Sequence, residues 1–139
     1  MSQLQHDLVQ AAQGVARALS GAGYKADFLP ASLAEIDRFF DEHTVDGQAR
    51  PNGLLSVELG ARLFGLGGYI GEVIRLAKGG EWLCDDHDPD GAMKVQLRTS
   101  DGQVCFPVQR TMKRFRNGRE DGIAVWGAAL GAVPQGGRT

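Results

Sequence analysis

The chain has 139 residues, with hydrophobic side chains at 42%, charged ones at 23%, a formal net charge of −2 and 20 glycines, about 14% against a usual ~7%. The length accommodates one domain with a real core and leaves no room for a cofactor domain beside a substrate domain. Ordinary apolar content without a three-residue repeat excludes collagen-like and low-complexity chains, and the near-neutral charge argues against a sequence-independent nucleic-acid binder.

Residues 1–60 carry four basic and eight acidic side chains, residues 61–139 eleven and nine, a difference too small to name a partner. The first 21 residues lack a basic region followed by an apolar run, so a cytoplasmic location is the expectation. The apolar stretch 54–77 is interrupted by Glu58, Arg62, Glu72 and Arg75, which suits a helix in water and not in a membrane.

Leu4, Leu8, Val9, Ala12, Val15, Ala16 and Leu19 recur at steps of three and four, which predicts an amphipathic helix over 3–19 stopped by Gly21 and Gly23. Ser32-Leu33-Ala34-Glu35 has the capping-box spacing and predicts a second helix burying Leu33, Ile36, Phe39 and Phe40. The polar segment 43–53, with Gly47, Pro51 and Gly53, reads as a connecting loop. The longest helix is expected over 54–78, with a stripe of Leu59, Leu63, Leu66, Ile70, Val73 and Ala77 and an end at Gly79-Gly80. Gly60, Gly67 and Gly71 fall on one adjacent face and predict close packing there, with 60–71 as the tightest seam of the domain. Gly65 and Gly68 are off that face and predict a bend.

Three short strands are expected next, at 81–85, 93–98 and around 104–106. Asp101-Gly102 reads as a two-residue hairpin turn that sets Leu97 opposite Phe106 and Thr99 opposite Val104, with the apolar side chains on one face. After Pro107, Val108, Met112 and Phe115 return to helical spacing up to Asn117-Gly118. Glu120 and Asp121 open a last helix whose small residues suit close packing, and 134–139 reads as a flexible tail. The expected fold is α+β: a single domain over 1–133, its helices packed on one face of a small antiparallel sheet of about three strands.

Gly68-Tyr69-Ile70-Gly71-Glu72-Val73-Ile74-Arg75, Gly79-Gly80-Glu81-Trp82, Phe106-Pro107, Lys113-Arg114 and Asn117-Gly118-Arg119-Glu120-Asp121 carry a resemblance over about residues 54–130. The segment resembles a bacterial domain family of unknown function with a Gly-x-Tyr-x-Gly-Glu-Val-Ile-Arg helix and a Gly-Gly-x-Trp step. The last motif departs from the family pattern by one residue. The resemblance implies an α+β domain and brings no activity, cofactor or catalytic residue with it. Small bacterial α+β proteins of related kind also occur as immunity proteins that neutralise toxins.

Chemistry-bearing spacings are few. Asp86-His87-Asp88-Pro89-Asp90-Gly91 opens like a calcium loop, but the twelfth position is Leu97 and not a bidentate glutamate, so a solvated turn is the preferred reading. Cys84, His87 and Cys105 fall short of a structural zinc set, and a strand between the two cysteines keeps them apart as thiols. No nucleophile elbow, zinc-protease motif or phosphate-binding loop is present, so no catalytic residue, metal or cofactor is assigned. Arg110, Lys113, Arg114, Arg116 and Arg119 are the one basic concentration and read as a solvated helix surface, without the aromatic interleaving of a nucleic-acid binder. The best candidate binding patch combines Tyr69, Glu72, Arg75 and Trp82 with Lys113 and Arg114. The leading expectation is a protein-interaction domain, immunity-like or adaptor; the alternative is a small ligand-binding or catalytic domain with a pocket near Tyr69, Glu72, Arg75 and Trp82.

Overall fold

The computed structural model describes residues 2–132, so the tail expected over 134–139 lies outside the described residues. Helix α1 spans Gln3–Gly21, started by the Ser2 hydroxyl, which accepts the Gln5 N–H at 2.9 Å. Helix α2 spans Ser32–His43 and buries the expected Leu33, Ile36, Phe39 and Phe40. The expected capping box does not form. Ser32 already lies inside the first turn, where its hydroxyl donates to the Leu29 carbonyl, while the Glu35 carboxylate accepts the Lys25 N–H. A turn through Pro30 and Ala31 starts the helix instead.

The segment expected as a plain loop contains a hairpin, β1 (Thr44–Val45) and β2 (Gln48–Ala49). Asp46 and Gly47 both take left-handed φ, 51° and 75°, the turn that matches strand twist. A Cβ on Gly47 would sit 2.7 Å from the Arg116 carbonyl, so the glycine also docks the hairpin onto the domain.

Helix α3 spans Leu59–Lys78, five residues shorter at its start than expected, because residues 54–58 turn and Glu58 adopts φ 50°. Strands β3 (Gly80–Leu83), β4 (Gln96–Thr99) and β5 (Val104–Cys105) form an antiparallel sheet in chain order. A short 3-10 turn over Gly91–Lys94 replaces the first half of the strand expected at 93–98. The β4–β5 register differs from expectation by one residue: Leu97 pairs with Cys105 and Arg98 with Val104. Three residues, Ser100 to Gly102, make the loop, with Gly102 left-handed at φ 87°. The slip moves Cys105 to the core face and turns Val104 and Phe106 outward, correcting their expected burial. Helix α4 (Pro107–Asn117) follows, then a 3-10 turn over Gly118–Asp121 that takes up Glu120 and Asp121, and the short α5 (Ile123–Ala129).

Helix α3 is the axis of the core. At 100° per residue its side chains sort into three faces roughly 100–150° apart. Leu63, Leu66, Ile70 and Val73 form a bulky buried face. Gly65 and Gly68 face α1: their Cβ positions would lie 2.6 Å from Val15 Cγ2 and 2.8 Å from the Leu8 carbonyl oxygen. Gly67 and Gly71 face the sheet and α4, where added Cβ atoms would lie 2.7 Å from Val108 Cα and 2.6 Å from Trp82 Cζ2. Gly65 and Gly68, expected at a bend, are therefore a second packing seam. Gly60, expected on the packed face, meets nothing within 4 Å.

Alanine at position 68 forces α1 and α3 apart and is expected to lower stability by about 1–3 kcal/mol. Alanine at position 60 is expected to raise it by about 0.4–1 kcal/mol through the unfolded chain. Urea denaturation of Gly68→Ala and Gly60→Ala checks both; equal effects would contradict the packing.

Candidate functional site

The residues expected to share one patch belong to three different environments. The first is built where α3 meets the sheet. Gly71 leaves a bed for the Trp82 indole, and the next residue, Glu72, accepts its Nε1–H at 2.7 Å. One turn on, Arg75 clamps the same carboxylate with two donors, Nε at 2.7 Å and Nη2 at 2.9 Å. Burial alone would raise the Glu72 pKa, but the hydrogen bonds from Arg75 and Trp82 and the Arg75 charge outweigh it and hold the carboxyl below its ordinary 4.5. The indole fills the space at the helix–sheet junction itself, and the three side chains satisfy one another; on the α1 side a depression of about 150 Å³, lined by Val9, Gln13, Phe28 and Leu76, reaches Glu72.

Tyr69 is not part of that group. It is 0% exposed, its hydroxyl bonded to Ser32 Oγ at 2.7 Å and accepting the Phe28 N–H at 2.9 Å. Phe28 packs on the Tyr69 ring at 4.5 Å, the rings tilted by 35°, and holds a left-handed φ of 64°, rare for a bulky residue. Tyr69 thus fastens the connection between α1 and α2 to the core.

Arg114 departs furthest from expectation. Expected on a solvated basic surface, it is 1% exposed. Pro107, Thr111 and Arg114 fall on the buried side of α4, and the guanidinium reaches α2. Nε donates to Asp37 Oδ1 at 2.9 Å, and Nη2 to Asp41 Oδ1 at 2.7 Å and to the Asp37 carbonyl at 3.0 Å. The Asp37 carboxylate also accepts the N–H groups of Ile123 and Ala124, both at 2.9 Å, and so caps α5. Arg119 adds a bond to Asp41 at 3.1 Å, and Arg110 pairs with Asp121 at 3.0 Å. For Asp41, burial would raise the pKa, but the hydrogen bonds from Arg119 and Arg114 prevail and hold it below 3.8. This network joins α2, α4 and α5.

The acidic loop is also committed to the fold. Asp86 accepts the N–H groups of Gln3 and Leu4 at 3.0 and 2.9 Å, stabilising the start of α1, and Asp88 accepts from Asp90 N–H and Lys94. Among the described residues no group of three or more His, Cys, Asp and Glu side chains converges to hold an ion. Cys84 and Cys105 are free thiols on strands flanking β4 or beside them, and burial pushes Cys105 up to about 11.

Lys113 is left over from the expected patch, and it leads to a surface that the sequence reading did not single out. Beside β5, the apolar side chains of Val104, Phe106, Trp126 and Leu130 and the polar ones of Gln109, Arg110 and Lys113 line an open groove of about 220 Å³. Val104 is 48% and Phe106 39% exposed. The signal that could have revealed it is the third loop residue, Gly102, which sets the register that turns both side chains out.

Replacing Arg114 by methionine strips two half-buried carboxylates of a buried partner and is expected to cost about 1–3 kcal/mol at neutral pH. The Asp41 pKa is lowered by folding, so its contribution is complete above its unfolded value of 3.8 and is lost as the pH falls through the lower folded value. The deficit of Arg114→Met relative to wild type should therefore shrink below pH 3.8 in thermal melts; a deficit constant from pH 7 to pH 2.5 would contradict the pairing.

No helix among the described residues is long and apolar enough to cross a membrane. No family model matches the chain, and comparisons with curated proteins and with solved structures give no match either.

Proposed function

We propose that this chain is a protein-interaction domain whose contact surface is the open groove beside β5, and not the junction of Glu72, Arg75 and Trp82. The observation that carries the reading is the pair of outward apolar side chains, Val104 on the edge strand β5 and Phe106 just after it, which face an open groove walled by α4 and α5. Exposed apolar side chains that gather on a strand edge, with a polar rim, mark a surface built to be covered. The interior supports the same reading. Among the described residues no buried side-chain nitrogen or oxygen lacks a hydrogen-bond partner, so the polar groups of the core are spent on holding the fold.

A photo-crosslinking amino acid at position 106, introduced in the native host, is expected to give a discrete adduct with one protein. The same residue at position 29, where Leu29 is also exposed but lies outside the groove, should give none. Absence of an adduct from position 106, or equal adducts from both positions, would contradict the proposed surface.

A further inference from the structure

We propose that the open edge of β5 receives an extended acidic segment of a partner protein as an added strand; this rests on the interaction reading above and names the chemistry of the partner. The main-chain geometry is the first support. Thr99 donates its N–H to the Gln103 carbonyl at 2.8 Å, so residues 99 and 103 form a hydrogen-bonded pair. Antiparallel pairs alternate, which makes Leu97 with Cys105 the next bonded pair and Arg98 with Val104 the unbonded one between them. The N–H and C=O of Val104 therefore point away from β4, toward the groove. An edge with unpaired main-chain groups beside apolar pockets is the template for strand addition.

Charge is the second support. Among the described residues lining the groove there are two cations, Arg110 and Lys113, and no carboxylate. Arg110 is already paired with Asp121, and Lys113, which makes no hydrogen bond or salt bridge among the described residues, acts on the same Asp121 by its charge alone. The end of the β3–β4 pair differs: the depression beside Leu83 and Gln96 is lined by Asp85 and Asp88, with Lys94 paired to Asp88. An acidic strand is thus matched to the groove beside β5 and not to the acidic depression at the β3–β4 end. At the β4–β5 loop the groove is bounded by Lys78, whose ammonium bonds the Leu130 carbonyl, Asp101 and Gln103 and so ties α5 to the loop. The incoming segment places its alternate apolar side chains against Val104, Phe106 and Trp126 and a carboxylate at Lys113.

A phage-displayed library of random twelve-residue peptides panned on the full chain tests the chemistry. Expected are enriched peptides of net negative charge with alternating β-branched or aromatic residues. A labelled enriched peptide should bind at least tenfold more weakly to Lys113→Glu and to Val104→Pro, with the melting temperatures of both variants unchanged. The proline removes the outward N–H, fixes φ at about −65° and takes one apolar side chain from the groove at an exposed edge position, and the lysine is exposed. Binding should also weaken as salt rises. Enrichment of basic or uncharged peptides, no enrichment, or binding indifferent to both substitutions would overturn the proposal. Sedimentation showing a dimer abolished by Val104→Pro would do so as well, assigning the edge to a second copy of the chain. If position 106 crosslinks in cells while acidic peptides fail, the interaction reading stands and this partner chemistry falls.

Discussion

Four glycines in the middle of α3 hold the domain together by what they leave out. Each weakens the helix by about 0.5–1 kcal/mol relative to alanine, so the stretch 65–71 would be the poorest part of α3 in isolation. Packing reverses that order. Gly65 and Gly68 let the α1 backbone lie against α3, and Gly67 and Gly71 admit the Val108 backbone and the Trp82 indole on another side. With Leu63, Leu66, Ile70 and Val73 filling the third, α3 is enclosed by α1, the sheet with α4, and the remaining core. Glu72 and Arg75 follow from this arrangement: once Gly71 has bedded the indole, its N–H needs an acceptor and the acceptor needs a countercharge.

Arg114 is a second fixed point, of a different kind. Its guanidinium faces two carboxylates from α2, and one of those carboxylates caps α5, so one hydrogen-bonded cluster ties three helices together. Burying an unpaired guanidinium would be prohibitive, and the cluster is tolerated because its donors meet fixed acceptors. The groove beside β5 lies between elements positioned by these two devices. The sheet edge is placed by α3, and α5 by Asp37 and by the Lys78 bond to Leu130.

The sequence made the apolar periodicities legible, and with them α1, α2, α4 and the α+β class, because one-sided burial is a local pattern. It was less informative where two conformations satisfy the same local chemistry. Ser32 and Glu35 fit a capping box, yet Tyr69 and Lys25 compete for them and win. Asp46-Gly47 is the same dipeptide as Asp101-Gly102, but polar flanks without apolar alternation mask it as a hairpin signal. At Asp101-Gly102 a two-residue and a three-residue loop both bring apolar side chains inward, and the choice between them decides whether Val104 and Phe106 are core or surface. Arg114 was hidden for a related reason. Charge within α4 says nothing about what opposes it, and the matching signal, Asp37 and Asp41 four apart on α2, lies more than seventy residues away.

The claim that packing and not helix propensity sustains the glycine stretch is tested most directly by native-state amide hydrogen exchange along α3. The account predicts that amides of residues 66–74 exchange only through global unfolding, whereas those near Gly60, which has nothing packed against it, exchange through local fraying. Faster exchange at 66–71 than at either end of the helix, following the intrinsic weakness of glycine, would contradict it.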